Sequence, residues 1–106
     1  MRGIVLVLVL AAASALASAA DSAPANYKVT IADMAFGPAP ASLRVGDAIE
    51  WVNADIFEHS ATANNGSFDV TLPPKAHARV TLRRAGRIAF HCRYHPGMTG
   101  VLTVSP

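Results

Sequence analysis

The chain holds one cysteine, and it sits in the run F-H-C-R-Y-H-P-G-M-T-G at 90–100. That isolation narrows the possible folds more than any other feature. Residues 1–20 read as an export signal. Arg2 supplies a positive start, Ile4 to Leu10 and the alanines behind them an apolar core, and Ala17-Ser18-Ala19 the small-x-small form that a signal peptidase cleaves. The apolar stretch is short for a bilayer and no charged stop follows it, which argues against a membrane anchor. Removing the signal leaves residues 21–106 as one small domain, able to bury roughly 60–65% of its unfolded surface. So small a core gains from a disulfide or a metal. A lone Cys92 rules out a disulfide within the chain. An unpaired thiol is unusual in an oxidising compartment, and metal ligation would both protect it and stabilise the fold.

After a small-residue linker at 21–26, the pattern is that of strands. Tyr27, Val29 and Ile31 alternate with Lys28 and Thr30, and Ile49 and Trp51 oppose Glu50. Val80 and Leu82 alternate with Arg79, Thr81 and Arg83, and two further strands are expected over 87–92 and 100–104. Turn signals separate these runs at Gly37-Pro38, Gly46-Asp47, Asn64-Asn65-Gly66, Pro73-Pro74 and Ala85-Gly86. Seven or eight short strands with turns about every ten residues predict an all-β sandwich or small barrel, built of antiparallel sheets with one buried face. Trp51 reads as a core aromatic and Met34 as core filler.

Outside the signal the charges nearly balance, but they are segregated. Residues 21–69 hold Lys28 and Arg44 against all seven acids; residues 70–106 hold Lys75, Arg79, Arg83, Arg84, Arg87 and Arg93 and no acid. Interleaved strands would mix these charges. A basic patch facing an acidic partner is the sharper expectation. No basic run with interleaved aromatics is present, which argues against nucleic-acid binding.

Strand parity sorts the donors of the 90–100 run. Ile88, Phe90 and Cys92 share a face, so Cys92 points inward at a strand end. His91 has the opposite parity and points out. Met98 shares parity with Leu102 and Val104 and also points inward. His95 lies on the tight loop between, so Cys92, His95 and Met98 can converge. A thioether is a poor zinc ligand, and structural zinc favours four Cys or His donors. Two histidines and a cysteine in a plane with a weak axial methionine make a blue-copper site. The second histidine must come from elsewhere. His91 has the wrong parity and His77 falls on a polar loop, which leaves His59, beside the apolar pair Ile56-Phe57.

These residues resemble the cupredoxins, the type 1 blue copper family, and most of all its amicyanin branch, with pseudoazurin and plastocyanin more distant. The resemblance is carried by I-A-D-M-A-F at 31–36, R-V-G-D-A-I-E-W-V-N at 44–53, His59, the Cys92-x-x-His95-x-x-Met98 spacing, and F-H-C-R-Y-H-P-G-M-T-G-V-L-T-V at 90–104. It implies a cupredoxin-like Greek-key β-sandwich over residues 21–106 and one copper per chain. His59, Cys92 and His95 would be its equatorial ligands and Met98 its axial ligand. It also implies a monomeric periplasmic electron carrier rather than an enzyme, with redox proteins such as a dehydrogenase or a c-type cytochrome as partners. Amicyanins as a family serve methylamine dehydrogenase. A periplasmic copper chaperone or sequestering protein on the same fold is the alternative. One departure is Ser60, where the family usually has Asn tying the two ligand loops together. Its shorter side chain puts that tie in question, although its backbone N–H can still reach the Cys92 sulfur. Arg93 places a positive charge beside the site, an expectation of a raised reduction potential.

Overall fold

A computed structural model describes residues 3–5 and 23–106. The export-signal reading lies outside the described residues, apart from 3–5. No helix among the described residues is long and apolar enough to cross a membrane.

Among the described residues nine strands form two sheets. The first contains β1 (Asn26–Ala32), β2 (Ala35–Phe36), β4 (Ala48–Asn53) and β7 (His77–Thr81), in the order β2-β1-β4-β7. The second contains β3 (Leu43–Arg44), β5 (His59–Ala63), β6 (Asp69–Leu72), β8 (Gly86–His91) and β9 (Thr99–Ser105), in the order β3-β9-β8-β5-β6. The count exceeds the expected seven or eight because β2 is a two-residue strand, too short to show a period, while β3 lies within the short strand expected over 42–45. The sheets are also not wholly antiparallel. β1 pairs with β4, and β3 with β9, in parallel. Between β1 and β4 the chain crosses to the other sheet as β3, so it re-enters the first sheet running in its original direction.

The period-two pattern places the core as expected. In the first sheet Tyr27, Ile49 and Val80 form one cross-strand row, and Val29, Trp51 and Ala78 the next. The alternate face carries the row Lys28, Glu50, Arg79, an acid between two bases, which stabilises neighbouring strands across the sheet. The second sheet contributes Ala61, Ala63, Leu72, Ile88, Phe90, Leu102 and Val104. Between the sheets Trp51 and Phe90 pack edge to face at 5.1 Å between centroids, and Phe36 packs edge to face on Phe90 at 4.8 Å. Such pairs contribute about 0.5–1.5 kcal/mol beyond their buried area. Phe36 therefore packs against the core.

Met34 departs from expectation. It is 38% exposed at the β1–β2 turn, where it and Asp33 both have positive φ. The tight turn, not hydrophobicity, decides its position. Strand directions also locate the charges. β8 runs from Gly86 up to His91 and β9 runs back from Thr99, so Arg87 and the β7–β8 loop carrying Arg83 and Arg84 lie at the end away from Cys92. Backbone bonds between Leu82 and residues 46 and 47 pin that loop against the β3–β4 turn. Arg83, Arg84 and Arg87 are thus gathered away from the metal loop, while interleaving sets Arg79 beside Glu50, and Lys75 and Arg93 lie at the Cys92 end.

Gly100 faces Phe90 across the β8–β9 ladder. A Cβ there would stand 2.8 and 2.9 Å from two atoms of the Phe90 ring and closer still to a third. Gly100→Ala should therefore destabilise the protein by about 1–3 kcal/mol, the usual range for overpacking. Denaturant unfolding checks this, and an unchanged midpoint would contradict the close packing.

Candidate metal centre

The site is assembled at one end of the sandwich from two segments. The first begins at Asn53, a polar residue with the inward parity of Ile49 and Trp51. Its side chain is buried and fully used. Nδ2 donates to the carbonyls of Phe57 (2.7 Å), Leu72 (2.9 Å) and Pro73 (3.3 Å), and Oδ1 accepts from the N–H of Asp55 (2.8 Å). These bonds fold residues 54–58 into a compact loop that delivers His59 to the start of β5. Lys75, at a positive-φ position after Pro73-Pro74, adds a bond from Nζ to the carbonyl of Ala54.

The second segment is the loop from Cys92 to Met98. The N–H of Cys92 donates to the carbonyl of Met98 (3.0 Å), and the N–H of Met98 to the carbonyl of His95 (2.8 Å). The loop is closed at its base and turned at its tip. Cys92 and Met98 are buried and His95 is half-buried.

Together these segments place Cys92 Sγ 3.8 Å from His59 Nδ1 and 3.5 Å from His95 Nδ1. The three donor atoms lie within 4.8 Å of one another. Donors about 2.0–2.3 Å from one centre and spread trigonally stand about 3.5–3.7 Å apart at typical metal–N and metal–S lengths. The separations fit a metal ion seated among them. A thiolate with two imidazoles, and a methionine held at the far end of the same loop, is the donor set of type 1 copper.

Burial pushes the Cys92 thiol up, but hydrogen bonds from Ser60 N–H, His95, His59 and Tyr94 N–H together outweigh it and bring the group from 9.0 down to about 6. Ser60 also resolves the question of the missing Asn. Its N–H donates to Cys92 Sγ (3.3 Å), while its hydroxyl accepts from the N–H of Arg93 (2.8 Å) and bonds Thr62 Oγ1 (2.9 Å). The short side chain still ties the His59 strand to the Cys92 loop, because β5 passes directly beside residue 93.

Arg93 does not act as the free charge expected of it. Its guanidinium pairs with Asp69 and bonds Thr71 Oγ1 at 2.6 Å. That partner offsets its field at the sulfur. His91 faces away, with Nδ1 2.6 Å from Asn64 Oδ1. His77 begins β7 rather than lying on a loop, and its exposed ring stands 3.6 Å from Glu50.

Asp55 and Asn53 are the participants that sequence reasoning missed. Asp55 Oδ2 lies 2.8 Å from His59 Nε2, and the carboxylate accepts the N–H groups of Asp33 and Met34 as well. Those bonds, that of Met34 first and that of His59 next, hold its carboxyl below the usual value. The available signal was Asn53 itself, a polar residue at a core-facing strand position.

The cupredoxin-like domain family matches residues 3–104. A methylamine utilization protein MauL from Methylorubrum extorquens is 34% identical over 101 residues, covering 91% of this chain and 89% of that one. The Cu(I) form of a single-site amicyanin mutant is 26% identical, with a TM-score of 0.65 over 81% of this chain and 88% of the other. Amicyanin from Paracoccus versutus shares the fold, at a TM-score of 0.66 and 22% identity over 81% and 87% of the two chains. The chain belongs to the cupredoxin-like domain family. Fold and donor set together make copper its cofactor.

A folded-state value below the unfolded one means that the Cys92 thiolate contributes stability fully present above about pH 9, which is lost as pH falls through about 6. The urea midpoint of the metal-free protein should rise between these values, and Cys92→Ser should flatten the rise. A pH-independent wild-type midpoint would contradict the lowered value.

Proposed function

We propose that the chain is an exported, periplasmic single-electron carrier whose copper is held by His59 Nδ1, Cys92 Sγ and His95 Nδ1, with the Met98 thioether as weak axial donor. In this reading residues 1–20 are the signal and residues 21–106 the exported domain. The observation that carries it is the spacing of the three donors, already that of a ligand set within a tightly bonded framework. Copper bound there supplies a one-electron couple. The protein's part is to keep the donors still as the charge between them changes. His59 is held by β5 and by Asp55, and Cys92 by Ser60 and by the closed base of its loop.

Of the three ligands only His95 reaches the surface, so its edge is the way in and out for the electron. The turns on that end expose Met34, Ile56, Phe57 and Tyr94. A small apolar rim of this kind suits the weak, fast encounters of redox partners. The partner is a dehydrogenase or a c-type cytochrome, and the relative named for methylamine utilization favours an amine-oxidising donor. One chain supplies the whole ligand set, which suits a monomer. The expected acidic partner surface does not fit contact at His95, because Arg83, Arg84 and Arg87 gather at the opposite end.

Cu(II) added to the metal-free protein should give an intense visible thiolate-to-copper band. Cys92→Ser should abolish it and His91→Ala should leave it nearly intact. A colourless wild-type complex would overturn the copper-thiolate reading. Electron exchange with a dehydrogenase or cytochrome should be little changed by replacing Arg83, Arg84 and Arg87 with Gln, and slowed by Phe57→Ala, as stopped-flow rates would show. Slow exchange combined with rapid copper transfer to another protein would instead favour a chaperone.

A further inference from the structure

The imidazole of His59 is fully buried and has two nitrogens with different neighbours. Nδ1 faces the Cys92 sulfur, and Nε2 faces Asp55 Oδ2 at 2.8 Å. The carboxylate is itself 13% exposed and fixed from three sides. Oδ1 accepts the N–H of Asp33 (2.8 Å), Oδ2 accepts the N–H of Met34 (3.0 Å), and the backbone N–H of Asp55 is held by Asn53 Oδ1 (2.8 Å). A carboxylate that accepts two backbone N–H groups is an acceptor toward the ring as well. Nε2 must then carry the proton, which leaves the lone pair on Nδ1, the nitrogen that faces the sulfur. The opposite tautomer would set a lone pair against a carboxylate oxygen only 2.8 Å away, too close for a water between them.

We propose that Asp55 is the positioning residue for the copper ligand His59 and lowers the reduction potential of the centre. This rests on the copper reading given above. Its carboxylate selects the tautomer, fixes the plane of the ring, and makes the imidazole a more electron-rich donor. Carboxylate partners on metal-bound histidines have this effect generally, and their loss weakens metal binding by about 10- to 100-fold. The added negative charge favours Cu(II) over Cu(I). The same carboxylate carries the β1–β2 turn, in which Asp33 and Met34 both hold left-handed conformations. One side chain therefore links a buried ligand to the exposed Met34.

The test uses copper-loaded wild type, Asp55→Ala and Asp55→Asn. All three should keep the visible thiolate band, because Cys92 is untouched. Asp55→Ala should raise the Cu(II) dissociation constant by about 10- to 100-fold. Asp55→Asn, whose amide oxygen still accepts from Nε2, should recover much of that affinity. The reduction potential should rise in both variants, since each removes the charge. Nitrogen-15 NMR of the Cu(I) form should show a slowly exchanging proton on His59 Nε2 in the wild type. Should Asp55→Ala fail to fold, Asp55→Asn and the wild-type spectrum still decide. A fall in thermal stability with an unmoved potential is what a turn-holding residue alone would give, and it overturns the proposal. So does a His59 Nε2 proton that exchanges as freely as in free imidazole. A colourless wild type would overturn the copper reading and this proposal with it; a blue wild type whose potential neither variant moves overturns this proposal alone.

Discussion

One sulfur atom has to be charged and dry at the same time. Cys92 is completely buried, where an anion is costly, and yet its thiol is held near pH 6. The fold resolves the conflict by aiming donors at it from both ligand segments: Ser60 N–H from β5, and Tyr94 N–H and the His95 imidazole from its own loop. None of these could be moved without moving a strand or a closed loop. The sandwich behind them, locked by Trp51, Phe90 and Phe36, gives those donors a fixed base.

Much of this was readable from residue order. Period-two alternation assigned Val29, Ile31, Ile49 and Trp51 to one face without error, and parity alone separated Cys92 from His91. The structure brings His59 rather than His77 to Cys92 and His95, because a strand end beside an apolar pair differs physically from an exposed edge position. What escaped was of three kinds. The two-residue strand β2 carries no period to detect, whereas the short strand β3 falls inside the run 42–45 that the turn signal at Gly46-Asp47 brackets. Met34 is hydrophobic, but its turn geometry forces it outward. Hydrogen-bond relays such as Asn53 to Asp55 to His59 depend on pairwise distances that spacing does not encode. Arg93 illustrates the same limit: its charge was visible, whereas its partner Asp69 lies on a strand twenty-four positions away.

The polar groups of the 53–60 segment behave as one unit. Asn53 donates to three carbonyls behind the loop, and Asp55 accepts from two backbone N–H groups and a ring nitrogen. Buried networks of this sort stabilise only when each member is satisfied. The loop can therefore be long and rich in exposed apolar side chains, with Ile56 and Phe57 outside, and still present His59 at a fixed point.

The separation of charge along the sandwich has a mechanical meaning in solution. Arg83, Arg84 and Arg87 mark one pole, and Asp33, Asp55 and Glu58 crowd the other around the copper edge. Such a domain is an electric dipole laid along the direction of its strands. Within a Debye length of about 10 Å at moderate salt, a charged neighbour exerts a torque on it before any contact forms. The protein would be turned copper-first toward a positively charged surface and copper-last toward a negative one. Its handedness of approach would be decided by rotation rather than by any grip of the interface.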